Sequence, residues 1–392
     1  MITRSYLIAL VAVSALFSAC SESAGDAPVL AAVQVQGKWG WIDTTGQWAI
    51  PAEHAFPSQF NEGLAVMAVA AAPDSADLAD VPAARYGYLH PRGDMAIAAQ
   101  YALALPYSEG LAMVRTQDKL QYLDANGQLA LSIPYGFATP FIQGRAIVGQ
   151  TAQGKKGYMD TQGKLVIPMV YDGAYEYSEG RAIVYMLDTA RQDSSGRRAR
   201  RWGAIDETGK MIIPLKYKKL GTQFRSGLTH FNDGQRFGYL DRQGRVVIPA
   251  QFPLALNFRG DRAPVLTYTP NGTDGLKWAL INPKGEEVVP AVFDLIDTRG
   301  YLHSGLILVG RMQGEQRRMG FIDKNGKIII PLNYPTLDVF YEGRALAQAE
   351  NGKWGWIDTR GQWIIPPTYE KATHFVHTSQ NYLADPDYSR DQ

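Results

Sequence analysis

Hydrophobic and polar positions along the chain follow a pattern that keeps restarting. At residues 39–42, 86–89, 237–240 and 354–357 large apolar side chains stand at i and i+2 with a small residue between them. In a strand those two positions share one face. A polar turn follows, then a dense run such as 165–167, 211–213, 246–248 or 328–330, rich in Ile and Val and without alternation. Such a run predicts a strand buried on both faces. Proline stands shortly after it in Pro51, Pro168, Pro214, Pro249, Pro290, Pro331 and Pro366, and because it cannot donate to a ladder it is expected to end the strand. A connector with two aromatics, for example Tyr171 and Tyr177, leads to a short strand opened by glycine, as at Gly110, Gly180 and Gly343. One unit therefore reads as three short antiparallel strands plus a connector stapled by aromatic rings.

Nine glycines mark the same place in nine units: Gly46, Gly93, Gly127, Gly163, Gly209, Gly244, Gly285, Gly326 and Gly361. Their spacing of 34 to 47 residues sets a basic unit of about 35 residues with insertions. An Asp stands three positions earlier in seven of them, with His90 and Asn282 as the exceptions. An Asp side chain bonds the backbone two residues on, and glycine takes positive φ without steric cost, so Asp-x-x-Gly is a hairpin turn. One Asp per turn supplies too few oxygens for calcium.

The first and last copies, residues 38–51 and 353–366, differ only at Thr45/Arg360 and Ala49/Ile364. Units of the form KWGWIDxxGQWxIP, followed by YxxAxxF and EGxA, resemble the bacterial WG (KWG) repeat family over residues 29 to about 376. Departures are local: Gln121 and Ala279 replace the WG glycine, Ala98 and Ser132 replace the proline, and unit nine lacks the EGxA segment. The resemblance implies tandem all-β repeats on exported or surface proteins, with no common catalytic activity. An open solenoid needs atypical polar caps, whereas here the end units are the most alike and carry Trp39, Trp41, Trp48, Trp354, Trp356 and Trp363. That favours a closed, propeller-like ring over an open β-superhelix, with Val29–Val35 completing the last unit as a closing strand. Against it, nine units exceed the usual four to eight blades.

Composition adds the cellular address. Residues 1–20 read as an export signal: Arg4, an apolar run over 6–17, then Ser18-Ala19 before Cys20. Ser-Ala-Cys resembles a lipobox with Phe17 as a departure, which implies lipidation at Cys20; Ser21 fits sorting to the outer membrane, facing the periplasm or the surface. Residues 21–28 form a flexible tether, and 29–392 the repeat domain, with a tail from about 378. Cys20 is the only cysteine, so no intramolecular disulfide forms. With 39 basic and 38 acidic side chains, nucleic acid is not an expected partner.

No catalytic motif occurs, so no catalytic residue, metal or cofactor is assigned. His374 and His377, near Asp385 and Asp387, could seat a metal, but a solvated tail is the simpler reading. The tryptophans of units one and nine could form an aromatic platform, but their strands look buried on both faces. Function is better sought in insertions. Residues 70–84 form an Asp-containing surface loop. Residues 187–201 carry Arg191, Arg197, Arg198, Arg200 and Arg201, enough to attract phosphate or an anionic headgroup. The expectation is a non-catalytic envelope lipoprotein that binds or scaffolds an envelope protein or glycan through Arg197, Arg198, Arg200 and Arg201. A structural spacer, or a hydrolase or lyase acting on envelope polymer, is the alternative.

Overall fold

Each Asp-x-x-Gly segment is a hairpin turn in the computed structural model, which describes residues 27–69, 84–116, 119–192, 195–269 and 275–384. In the first, Asp43 Oδ1 accepts from the backbone N–H of Thr45 at 2.8 Å and of Gln47 at 3.0 Å, while Gly46 N–H donates to the Asp43 carbonyl. The turn joins Lys38–Asp43 to Trp48–His54.

Among the described residues the strands form nine antiparallel sheets, eight of four strands and one of five. They are the blades of a β-propeller, and the one helix among the described residues is the single turn Tyr301–Ser304. Blade five shows the plan: Gly173–Ala174, Arg181–Gln192, Arg198–Asp206 and Met211–Tyr217, in that spatial order. The connector thus contributes a strand, and the unit is four-stranded rather than three-stranded. Two residues such as Gly173–Ala174 are too short to show periodicity in sequence.

Sequence unit and blade are out of phase. The EGxA strand of unit one, within Leu64–Val69, lies in blade two, and the same offset runs round the ring. Unit nine, which lacks that strand, receives it from the other end of the chain. Val29–Val35 pairs with Lys38–Asp43 on one side and with Lys371–Ala372 and Val376–His377 on the other. The ring is therefore closed, as the likeness of its end units suggested.

Two expectations are corrected. The runs after the turn are not buried on both faces but form the outer edge strand of each blade. Ile167, Ile213, Ile248 and Ile330 point inward, while Leu165, Met211, Val246 and Ile328 are exposed. Proline does not end this strand either. Pro214 lies inside Met211–Tyr217, where Trp202 pairs with Tyr217 and Ala204 with Ile213, so that residues 214–216 face Gly203 alone. An edge strand with a bulge is a place where a missing N–H costs little. At Gly203 the missing side chain leaves room for the bulge, since a Cβ there would stand 2.4 Å from the Ile213 carbonyl oxygen; blade seven accommodates Ala279 opposite the same offset.

Blades pack face to face through the aromatics. Tyr158 lies 5.1 Å from Tyr177 between ring centroids, and its hydroxyl donates to the Tyr175 carbonyl at 2.8 Å. Burial, reinforced by neighbouring tyrosines and Glu176, pushes its pKa well above the ordinary range. The pairs Tyr88–Tyr107, Tyr122–Phe141, Tyr239–Phe258 and Trp356–Phe375 repeat the contact.

The EG turns supply a second tie. Glu62 and Gly63 both have positive φ, the two-residue hairpin geometry usually given to Asn-Gly. The strain of a left-handed Glu is offset by its carboxylate: the N–H groups of Glu109 and Gly110, one blade on, donate to Glu62 at 2.7 and 2.8 Å. Glu109 accepts from Gly144, Gln143 from Gly180 and Glu179 from Gly227, so the turns of blades two to six are linked in series. Glu62→Ala is expected to cost about 1 kcal/mol in urea denaturation, the scale of solvent-accessible charge-assisted bonds.

Candidate functional site

The strand order places every hairpin between the second and third strands at one face of the ring, opposite the EG and Asp-x-x-Gly turns. The strand ends that flank both insertions open onto that face: Val69 and Arg85 for 70–84, and Arg181–Gln192 and Arg198–Asp206 for 187–201. Residues 70–83, Cys20, Asp385 and Asp387 lie outside the described residues.

The second insertion is not a loose loop. It extends the blade-five hairpin, with Arg201 opposite Met186 and Arg200 opposite Leu187. Between this extension and blade six runs a cleft of about 1350 Å³. Arg191, Arg197, Arg198, Arg200 and Arg201 line one side. Lys216, Lys218 and Lys219, carried on the end of Met211–Tyr217 and the start of blade six, also line it. Against these eight basic residues the lining holds two acids, Asp188 and Asp233. In a chain of net charge +1, this is a local concentration of positive potential.

Several groups are held in place. Arg201 Nε donates to Asp188 Oδ2 at 2.8 Å. The Asp188 carboxyl is kept below its usual range by the N–H of Ala190 and then by Arg201. The Arg200 guanidinium lies 4.9 Å from the centre of the Tyr185 ring, and Tyr185 and Tyr175 both pack on Trp202. Asp233 is held low by the N–H groups of Arg236 and Gln235, so both acids stay ionised at neutral pH. Chemically the arrangement can hold anions: planar guanidinium forks suit phosphate and carboxylate, and lysines add point charge.

The sequence reading found the arginines but missed the three lysines. Their signal was the run Lys216-Tyr-Lys-Lys219 in one connector, of which only the tyrosine belongs to the repeat pattern. The reading of a solvated tail is corrected. His374 Nε2 lies 3.2 Å from Asp338 Oδ2, and Asp338 also meets Arg299 at 3.3 Å. Beyond it, the Tyr382 N–H donates to Asn61 Oδ1 at 2.6 Å and Asn381 Nδ2 donates to Ser108 Oγ at 3.0 Å, so the chain end crosses onto blades two and three. Among the described residues no group of three or more His, Cys, Asp or Glu side chains could hold a metal ion. The tryptophans divide: Trp41 and Trp356 are core, whereas Trp48 and Trp363 lie exposed on outer strands, which corrects the expectation that both faces are buried.

A family model described as the WG containing repeat matches residues 39–67, 86–119, 157–188, 202–229, 237–267, 278–309, 319–354 and 354–382. The chain belongs to the WG-repeat family. Residues 120–156, outside these matches, hold the unit in which Gln121 and Ser132 replace glycine and proline. No curated protein sequence matches this WG-repeat chain. Its ring is similar to the crystal structure of the eukaryotic initiation factor, with a TM-score of 0.56 and 11% identity over 90% of this chain and 99% of that one; at that identity the likeness is one of fold alone. The crystal structure of the tricorn protease aligns with a TM-score of 0.24 and 11% identity over 87% of this chain and 39% of that one, and nothing is drawn from it.

Proposed function

We propose that this WG-repeat propeller is a non-catalytic binding module of the bacterial envelope, anchored through a lipid on Cys20, that holds an anionic envelope glycan or protein in the cleft between blades five and six. The observation that carries the reading is the convergence of five arginines and three lysines on one cleft of the insertion face. Electrostatic preorganisation there comes from the paired strands of the hairpin and from Asp188, which holds Arg201 without neutralising the rest. The remaining address rests on the leader and on Ser21. The lipid anchor rests on the leader and on Cys20; among the described residues no helix is long and apolar enough to cross a membrane.

The test is binding of purified lipopolysaccharide and peptidoglycan by wild type and by a variant with Arg197, Arg198, Arg200 and Arg201 changed to Glu. Loss of two or more charge-assisted contacts predicts binding weaker by about a hundredfold, and wild-type affinity that falls steeply with salt. Equal binding by the two proteins would remove the cleft from the reading. Turnover of either polymer by the wild type would replace binding with catalysis.

A further inference from the structure

Tryptophan opens the outer strand in two of the nine blades, Trp48 in blade one and Trp363 in blade nine, and these two blades pack on each other at the seam. Elsewhere the outer strand opens with Met, Leu, Ile, Val or, in blade seven, Glu287. Both tryptophan rings stand outward, 48% and 38% exposed. A bulge turns the next residue out as well: Ile357 is opposite Trp363 and Trp356 opposite Ile365, which leaves Ile364 between them exposed. Blade eight repeats the arrangement with Ile328 and Ile329. The three strands adjoin along the rim, since the Trp363 ring meets Tyr334 of blade eight at 6.1 Å and the turn at Gly46 lies against Ile365 of blade nine. Single exposed apolar side chains need no explanation, but five in one band over three blades mark a contact surface.

The chain leaves for its anchor from the same end of the ring. Leu30 is opposite Asp43 and Ile42 is opposite Trp48, so the start of the closing strand and the Trp48 ring lie at one end of blade one, two strand spacings or about 10 Å apart. Residues 21–28 separate Cys20 from Val29, and eight residues reach at most about 28 Å. We propose that the rim of blades eight, nine and one rests on the lipid bilayer that holds Cys20, with Trp48 and Trp363 at the headgroup boundary; this rests on the lipid anchor of the proposed function. Tryptophan suits that boundary because its ring is apolar and its N–H polar. Lys327 and Arg360, exposed in the turns of blades eight and nine, can meet anionic headgroups. Once the lipid is inserted the contact is intramolecular, so a band too small to hold a free chain on a membrane suffices. The basic cleft between blades five and six, across the ring and on the opposite face, then opens away from that bilayer.

The test couples the chain from Cys20 onward, through that only cysteine, to a maleimide lipid in vesicles of phosphatidylethanolamine and phosphatidylglycerol with brominated acyl chains. Bromine quenches tryptophan that reaches the acyl boundary. The wild type is expected to lose emission relative to the same chain on unbrominated vesicles. Ile328→Glu with Ile364→Glu keeps every tryptophan, and is expected to lose most of the quenching while circular dichroism shows it folded. Trp48→Gln with Trp363→Gln is expected to show no quenching of its remaining tryptophans. An unquenched wild type overturns the proposal. So does equal quenching in the folded Glu variant, or quenching that persists without Trp48 and Trp363. Coupling supplies the anchor, so these outcomes do not depend on acylation of Cys20 in the cell, which the mass of its peptide reports separately.

Discussion

Val33→Asp is expected to destabilise the protein by at least about 4 kcal/mol, the scale of a charge buried without a partner. Val33 is 0% exposed, at the centre of the closing strand. It packs in a cluster with Ile42 of blade one, Leu346, Trp356 and Ile365 of blade nine, and Phe375. Its backbone neighbours are Gly40 on one side and Ala372 on the other. A carboxylate there would be desolvated at the seam where the two ends of the chain meet, and folded domains have only about 5–15 kcal/mol in hand. Gln34→Asp, one residue on, changes a half-buried side chain near the end of the same strand whose amide donates to the Gly37 carbonyl at 3.2 Å, and is expected to cost about 1 kcal/mol. Urea denaturation of the two variants makes the comparison. Similar small losses would mean that the seam is not packed as described.

The second large effect concerns the half-buried charges beside that seam. Asp338 sits between His374 and Arg299, and Arg299 also bonds Asp297 at 2.6 Å. Burial pushes the Asp338 carboxyl up, but the hydrogen bond and charge of His374, the charge of Arg299 and the N–H of Val339 outweigh it and hold the pKa at about 2. The unfolded chain binds the proton at the ordinary value, 3.8. The resulting stability, about 2 kcal/mol, is therefore present above pH 4 and is lost as pH falls through the folded value. Asp338→Asn is expected to cost about 2 kcal/mol at neutral pH, since Arg299 keeps Asp297 but His374 loses the carboxylate beside it. It should also flatten the fall in stability between pH 4 and 2. Denaturant midpoints at pH 6, 4 and 2.5 measure both effects, and an unchanged acid limb in the variant would assign the acid sensitivity to other carboxylates.

What was legible in the sequence was what recurs for a backbone reason. Asp43 and Gly46 announce their turn because the side-chain oxygen and the positive φ are both needed locally, and the seam was visible because unit nine lacks a strand that Val29–Val35 supplies. What was illegible depends on which surface a strand meets. The triple Ile328-Ile329-Ile330 has the composition of a core strand, yet only Ile330 faces the neighbouring blade, since strand content alone does not say whether a strand is central or at an edge. Pro214 read as a stop because the bulge that accommodates it is a property of the pair, not of one strand. The cleft was half visible for a similar reason: Arg197 to Arg201 lie close together in the chain, while Lys216 comes from the outer strand of blade five and Lys218 and Lys219 from the start of blade six. His374 looked like tail because its partner, Asp338, is 36 residues away.

The most direct measurement of the account is a disulfide across the seam. Gln34 and Lys371 are opposite each other in the pairing of Val29–Val35 with Lys371–Ala372, at the Cα separation of neighbouring strands, about 4.5–5.5 Å, which a disulfide can span. With Cys20 replaced by Ser, a chain carrying Gln34→Cys and Lys371→Cys should oxidise to an intramolecular disulfide under mild conditions, as read by the mass change and by faster migration in non-reducing gels. Closing so long a loop should also raise stability, by up to about 5 kcal/mol on chain-entropy grounds. Thiols that remain reduced, or that form bonds only between chains, would contradict a closed nine-bladed ring.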